Sequence, residues 1–496
     1  MTTTTTTTVP ARPVLPPPQS AQELGARRIA LTQALRPDGT LGLIGPTVRD
    51  LRMGMEILGP TSSGKSYWLR GLISELARVG AGFGLIDRKG DLADEVLDSL
   101  PPETHDRVVV IDVLTDSIPC LNPLDRRFGG QGVSTEQLVG QAMGLFARLD
   151  PETWPTSLGM QQFARFGLMA LVEGADAPTL LHLDRLLACT RYRDQVLQRV
   201  RTPKTREFWQ HDYPAMDPTL KRSVESLGRR LQQFILAPLV QQVLGQPQST
   251  LDLPTLMDQR AIIIIKLVAE VISEELATML SMVFLAALVT ATFTRQQTQP
   301  DSDARWDWPL IIDEIDKCID TEHVGDAETF FTKTRGLGVG ILGAHQGLWQ
   351  LGPAVGSAAI QALGGLCILG PIKDDARTIA EAYEASGITT AHLSGLRARQ
   401  ELLIRFPVAG QDTGLLAGVP RRLPPVPPAR SATEQQAFLR QAAHRVQEAH
   451  AVWARTGNTS AALGDVSRLV DGQFVLQTAT QPQLFSRQAP VNDSFC

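Results

Sequence analysis

Aromatic residues make up only 5% of this 496-residue chain, and there are five cysteines, Cys120, Cys189, Cys318, Cys367 and Cys496, all far apart in sequence. Without a CxxC pair, a zinc ribbon or disulfide framework is excluded, and a reducing compartment fits. An excess of one charge is also missing, since the formal net charge is -5. No whole-molecule positive field exists, so a nucleic-acid partner has to be met by a local or inner surface. The chain opens "MTTTTTTTVPARPVLPPPQS", a Thr run and then a Pro-rich segment, without the charged-then-apolar plan of a signal peptide. It is expected to be a flexible leader. Long apolar runs are scarce. The longest uncharged one, "LATMLSMVFLAALVTATFT" from Leu276 to Thr294, just reaches the length of a membrane span, but its Thr and Ser content and its place after a strand suit a buried helix equally well.

What remains is a chain that is 43% hydrophobic and 20% charged, a balance that folds. The run ending at Leu58 is expected to be a strand, "SYWLRGLISELARVG" a helix, and "AGFGLID" and "RVVVID" two further strands, each closed by an aspartate. That alternation is the mark of an α/β fold with a mostly parallel sheet, whose functional residues gather at the carboxyl ends of its strands. Between 134 and 256 the periodicity is helical throughout, which predicts an all-helical insertion domain. Strands resume in "RAIIIIKLV", "WPLIIDE", "GVGILGAHQ" and "GGLCILGP". The expected organisation is a leader and short N-terminal segment over 1–45, the first half of the sheet domain over 46–133, the insertion over 134–256 and the second half over 257–417. A Pro-rich linker with one helix, near 432–455, and a polar tail occupies 418–496.

"GPTSSGKS" matches G-x-x-x-x-G-K-[ST] directly after a strand and at the start of a helix. In this pattern Gly59, Pro60, Thr61, Ser62, Ser63 and Gly64 wrap phosphates with backbone N–H groups, Lys65 reaches the outer phosphates, Ser66 holds Mg²⁺, and Tyr67 follows at the helix N-terminus. "PLIIDEID" supplies the complement, a buried-type strand ending in Asp313, a candidate for the Mg²⁺ shell, and Glu314, a candidate for orienting water. The expected cofactors are ATP and Mg²⁺, and a water-activating Glu314 favours hydrolysis over transfer to a small-molecule hydroxyl. Weaker candidates are Asp87, for Mg²⁺ or a neighbouring subunit, and His345, for phosphate or simply for structure. Asn122 in "LNPLD" most simply makes a turn.

In "FFTKTRGLGVGILGAHQ" the strand after the acidic one brings Gln346 to the edge where Lys65 and Asp313 emerge, where an amide could sense a γ-phosphate. Arg335 precedes that strand and is expected at its opposite end, away from its own phosphate loop. There it could serve the ATP of a neighbour in a head-to-tail ring, or be a solvated arginine.

These segments, with "GLIDRKGDLADEVL", "LQQFILAPLVQQVLGQPQSTLDLPTLMDQRAIIIIKL" and "KDDARTIAEAY", together resemble the HerA/FtsK superfamily of P-loop DNA motors over about Leu51 to Tyr383. The resemblance is strongest to conjugative coupling proteins of the TraG/TraD type and to HerA-like translocases. It implies a RecA-like ATPase domain with an inserted helical domain, a homo-hexamer that passes DNA, preferably double-stranded, through a channel, Arg335 as the finger in trans and Gln346 as the sensor. It also implies a cytoplasmic protein docked peripherally at the inner membrane, with a membrane channel, relaxase or nuclease as further partner. Two rival functions are an ATPase of secretion type moving protein cargo, and a nucleotide-gated ring scaffold. The chain departs from the pattern in having neither transmembrane helices nor a convincing β-barrel ahead of the phosphate loop. Its local basic clusters, "KRSVESLGRR" and "RVRTPKTR", are modest.

Overall fold

The computed structural model describes residues 12–438 except 36–40, 116–117, 126–133, 150–152, 320–333 and parts of 218–236, 353–361 and 428–436. The Thr run, nearly all of the helix expected near 432–455, the tail and half of "KRSVESLGRR" lie outside the described residues. Two compact units emerge. One comprises the described residues of Met1–Asp116 and Leu253–Arg445, and the other those of Ser117–Asp252.

The first unit is built on an eleven-stranded sheet. Its strands are β1 (Thr32–Leu35), β2 (Leu41–Ile44), β3 (Met55–Leu58), β4 (Phe83–Asp87), β5 (Val108–Asp112), β6 (Ile262–Lys266), β7 (Leu310–Asp313), β8 (Ile341–His345), β9 (Gly365–Leu369), β10 (Leu402–Arg405) and, beyond a small hairpin of β11 (Pro407–Val408) and β12 (Gln411–Asp412), β13 (Leu416–Pro420). The spatial order is β2-β1-β13-β10-β9-β3-β8-β7-β4-β6-β5. From β9 to β5 every pairing is parallel, and β10, β13, β1 and β2 extend the sheet antiparallel.

The parallel strands are apolar along their length because connecting helices cover both faces. Ile262 to Ile265 of β6 are almost fully buried, as is Trp308, which lies across β4 where Gly84 leaves room for it. A Cβ on Gly84 would come within 2.5 Å of the Trp308 ring, so the close approach of indole to strand depends on that glycine.

The helix Lys65–Arg78 follows β3 and buries Trp68, Leu69, Leu72, Ile73 and Leu76 against the sheet. Farther along the same helix the carboxylate of Glu75, 1% exposed, is a hub. It accepts hydrogen bonds from Arg78, Arg12, the Ala30 N–H and Arg421. Burial pushes this carboxyl up, but Arg78 and Arg421 more than offset that and hold it below its ordinary range. The backbone from residue 12 and the segment after β13 are thereby clamped to the helix, and β1 to β2 form the sheet edge. The packed sheet domain therefore extends beyond the 46–417 range expected from sequence.

The helix Glu274–Thr298 contains the long apolar run, and 67% of its apolar window is buried inside the unit. Its last turn is fixed by fully buried Arg295, paired with Asp258 at 2.6 Å. The run packs as a core helix.

In the second unit all the regular elements among the described residues are helices, chief among them Thr135–Leu149, Leu158–Gly174, Leu181–Ala188 and Thr190–Leu197. The scarce aromatics concentrate there, with Phe163, Phe166, Phe208, Trp209 and Tyr213 packed ring to ring. Asn122 makes a buried turn: its amide donates to the Pro178 and Pro247 carbonyls at 2.8 and 2.9 Å, and its own oxygen accepts from the Leu124 N–H. In "RVRTPKTR", Arg199 pairs with Asp176 and Lys204 with Glu207 and Asp212, so part of that positive charge is compensated locally.

Candidate functional site

Parallel pairing brings the carboxyl ends of β3, β8, β7 and β4 to one edge in that spatial order. Leu58 is in register with His345, and Asp313 with Ala344, so the residues that follow each strand emerge level with one another. Between them lies a cavity of about 1050 Å³ lined by residues of the phosphate loop from Thr61 to Tyr67 and by Asp87, Lys89, Asp313, Glu314, His345 and Gln346. Residues 246 to 285 positions apart in sequence, such as Lys65 and Gln346, share its wall only because the sheet orders the strands this way.

The phosphate loop starts at Gly59, whose N–H donates to the His345 carbonyl at 3.3 Å. Gly64, at φ 103, turns the chain into the helix through a conformation that L side chains rarely adopt. Lys65 donates from its ammonium to the carbonyls of Gly59 and Pro60. Burial pushes the Lys65 pKa down, against the pull of Asp313. Asp313 is pushed the other way, up to about 6, first by burial and then by the neighbouring Asp87 and Glu314 carboxylates. A partly buried cluster of hard oxygen donors beside Lys65, Lys89 and Ser66 suits a divalent cation shared with phosphate. Among the described residues no group of His, Cys, Asp and Glu side chains is arranged to cage a metal alone. Ser66 and Asp313 fit Mg²⁺ in that sense, and the loop fits a triphosphate.

Glu314 has φ 56, in the left-handed region, and its N–H donates to the Asp313 carboxylate at 3.2 Å. Gln346 lines the cavity beside it, and its N–H donates to the Gln350 side chain at 2.7 Å. His345, 1% exposed, bonds Glu56 through Nε2 and the Gly347 carbonyl through Nδ1. Burial opposes its protonation, but the Glu56 carboxylate and that carbonyl more than compensate, so its pKa stands above the ordinary value. With an acceptor at each nitrogen it is satisfied as an imidazolium, which is the structural role. Asp87 also lines the cavity, but its oxygens accept the N–H groups of Lys89 and Ala93 at 3.0 and 2.8 Å, shaping its own turn.

Arg335 is not among the residues lining the cavity. It is exposed on a turn at the amino end of β8, where the Gly338 N–H donates to its carbonyl at 3.2 Å and the Gly338 carbonyl accepts from the Trp308 N–H. Sequence reasoning missed Arg399, which comes from the loop between β9 and β10. At φ 64 it bonds the Ser63 carbonyl through its N–H and the Ser62 carbonyl through Nε, at 3.1 and 3.0 Å. Nothing in "LRARQ" signals this, because the contact depends on the antiparallel return of β10. Lys89 was also missed, although "DRKGD" places it two residues after a strand-ending aspartate.

No family model matches the chain, and no curated protein does. Solved structures do. The bacterial conjugative coupling protein TrwBdeltaN70 in its unbound monoclinic form superposes with a TM-score of 0.57 at 15% identity, over 85% of this chain and 97% of that one. The plasmid coupling protein TrwB in complex with ADP and Mg²⁺ gives 0.56 at 14% identity, over 86% and 97%. VirB4 of Thermoanaerobacter pseudethanolicus gives 0.53 at 14% identity, over 80% and 97%. The chain thus has the fold of these coupling proteins and of VirB4, a RecA-like P-loop α/β fold on a largely parallel central sheet.

Proposed function

We propose that this protein is an ATPase that assembles as a homo-hexamer and drives double-stranded DNA through a central channel. The observation that carries the reading is the meeting of Lys65 and Ser66 with Asp313 and Glu314 across one cavity, with Gln346 on the strand between them. Its likeness in fold to TrwB, whose structure was solved with ADP and Mg²⁺, supports the cofactor assignment, and the coupling-protein relatives favour DNA as cargo.

In this reading the backbone of Gly59 to Gly64 wraps the β- and γ-phosphates, Lys65 neutralises them, and Ser66 and Asp313 hold the cation. Bound Mg²⁺ draws charge from the phosphate oxygens and so eases the departure of the γ-phosphoryl group. Glu314 orients a water and accepts its proton. Gln346 reports loss of the γ-phosphate through β8. Arg335 of one subunit faces the nucleotide of the next. The protein would work in the cytoplasm, docked at the membrane face of a channel or beside a relaxase or nuclease.

The test is steady-state ATP hydrolysis without DNA, with single-stranded DNA and with duplexes of increasing length. Turnover that grows with duplex length is expected. A flat response from an intact oligomer would replace DNA by protein cargo or by a ring scaffold. A Glu314→Gln protein that hydrolyses at the wild-type rate would remove Glu314 from its role, since general bases contribute roughly 10²–10⁴ in rate.

A further inference from the structure

Glu314 does not stand free in the cavity. Its Oε1 lies 2.5 Å from the Lys89 ammonium, and its Oε2 lies 3.9 Å from Arg88 Nε. Lys89 is more than half exposed, whereas Arg88 is 1% exposed and firmly anchored. Arg88 donates to Glu274 at 2.6 Å and to the Ser281 hydroxyl at 3.2 Å, both on the helix Glu274–Thr298. Its carbonyl accepts from the Ala269 N–H at 2.8 Å, and the preceding Asp87 carboxylate pins the turn through the Lys89 N–H. Two cations from one rigid turn are therefore presented to a single carboxylate, on a strand exit that already holds an unusual φ.

A carboxylate that orients water and accepts its proton must point a lone pair at that water. A carboxylate oxygen in contact with an ammonium has that lone pair engaged and cannot present it to the water. The other oxygen faces Arg88. We infer that Lys89 is a positioning residue that restrains Glu314, so that turnover requires the Lys89–Glu314 pair to open while Arg88 keeps the turn in place. The inference rests on the proposed role of Glu314, and its partial exposure makes Lys89 the member of the pair able to leave.

Removing the restraint should speed the reaction, which loss of a merely structural contact would not do. For Lys89→Ala, turnover in the absence of nucleic acid is expected to rise roughly fivefold, the rate equivalent of a partly exposed ion pair of about 1 kcal/mol. The KM for ATP and the equilibrium affinity for a fluorescent ATP analogue should hold steady, and Lys89→Arg should bring the rate back down. Independently of activity, a carbodiimide should join Lys89 to Glu314 as a zero-length amide in the full-length wild-type protein, identified by mass spectrometry of its peptides. Slower or unchanged turnover in Lys89→Ala with nucleotide affinity intact would overturn the restraint, and so would a missing cross-link. If Glu314→Gln is slow while Lys89→Ala is unchanged, the restraint alone fails. If Glu314→Gln turns over normally, the underlying role of Glu314 fails with it.

Discussion

Asp313 offers the sharpest energetic test, because the structure places a carboxylate where ionisation is costly. Its pKa stands at about 6 against an ordinary 3.8, through burial first and then Asp87 and Glu314. The folded chain therefore keeps a proton that the unfolded chain has already released between about pH 4 and 6, so stability falls as pH rises through that window and stays lower above it. About two pKa units correspond to roughly 3 kcal/mol. Replacing the group by a neutral isostere, Asp313→Asn, removes that cost but also takes an attractive neighbour from Lys65. We therefore expect a net gain of about 1–2 kcal/mol at pH 8, a rise in Tm of a few degrees, and no gain near pH 4. Thermal unfolding of both proteins at pH 4 and pH 8, without nucleotide or metal, measures it. Adding Mg²⁺ and ATP should reverse the order at pH 8, because only the wild type gains the binding free energy. A variant no more stable than wild type at pH 8 would refute the reasoning about burial and the crowded carboxylates.

Two further outcomes follow from other parts of the fold. Glu75→Leu should destabilise by about 3–5 kcal/mol, since it leaves Arg78 buried without its carboxylate and releases Arg12 and Arg421; trypsin cleavage after Arg421 should quicken, and unchanged protease resistance would count against the clamp. Arg335→Ala should lower turnover by roughly 10³-fold or more while ATP affinity holds; mixing it with Lys65→Ala subunits should recover part of the activity, and verified mixed oligomers that stay inactive would argue against a contribution in trans.

The parallel half of the sheet is legible in sequence because each of its strands is a short apolar run with a functional or turn-forming exit. "EILGPTSSGKS" and "PLIIDEID" announce both their structure and their chemistry, and their spacing to "GILGAHQ" suffices to bring Gln346 to the same edge. The antiparallel extension is not legible in the same way. β1 and β2 are four residues each and pair with one another, and they join the sheet only because β1 pairs with β13 some 390 positions away. The segment after β13 is rich in proline and invites the reading of a linker, yet Arg421 and the Leu423 N–H bond Glu75 and the Tyr67 hydroxyl. No local pattern encodes such contacts. Arg399 and Lys89 escaped for a related reason, since their importance lies in which strand end they face and not in any motif of their own.

The same geometry bears on how far one subunit's site is complete. β8 runs five residues from Ile341 to His345, so its ends are about 13 Å apart at strand rise. The cavity lies at the carboxyl end, with Gln346, and Arg335 lies before the amino end, on the turn that Gly338 ties to Trp308. That separation exceeds the reach of an arginine side chain, so on the proposed reading Arg335 would not act on a nucleotide held by Lys65 of its own chain. Among the described residues the lysines and arginines lining the cavity are Lys65, Lys89, Arg399 and Arg422, and of these Lys89 is engaged by Glu314 and Arg399 by the loop carbonyls. On the proposed reading such a site would have a lysine for the phosphates and a carboxylate for water, while Lys89 and Arg399 are already engaged within the chain. Positive charge supplied by a neighbouring subunit at the moment of transfer would fill that need, and it would make hydrolysis depend on assembly.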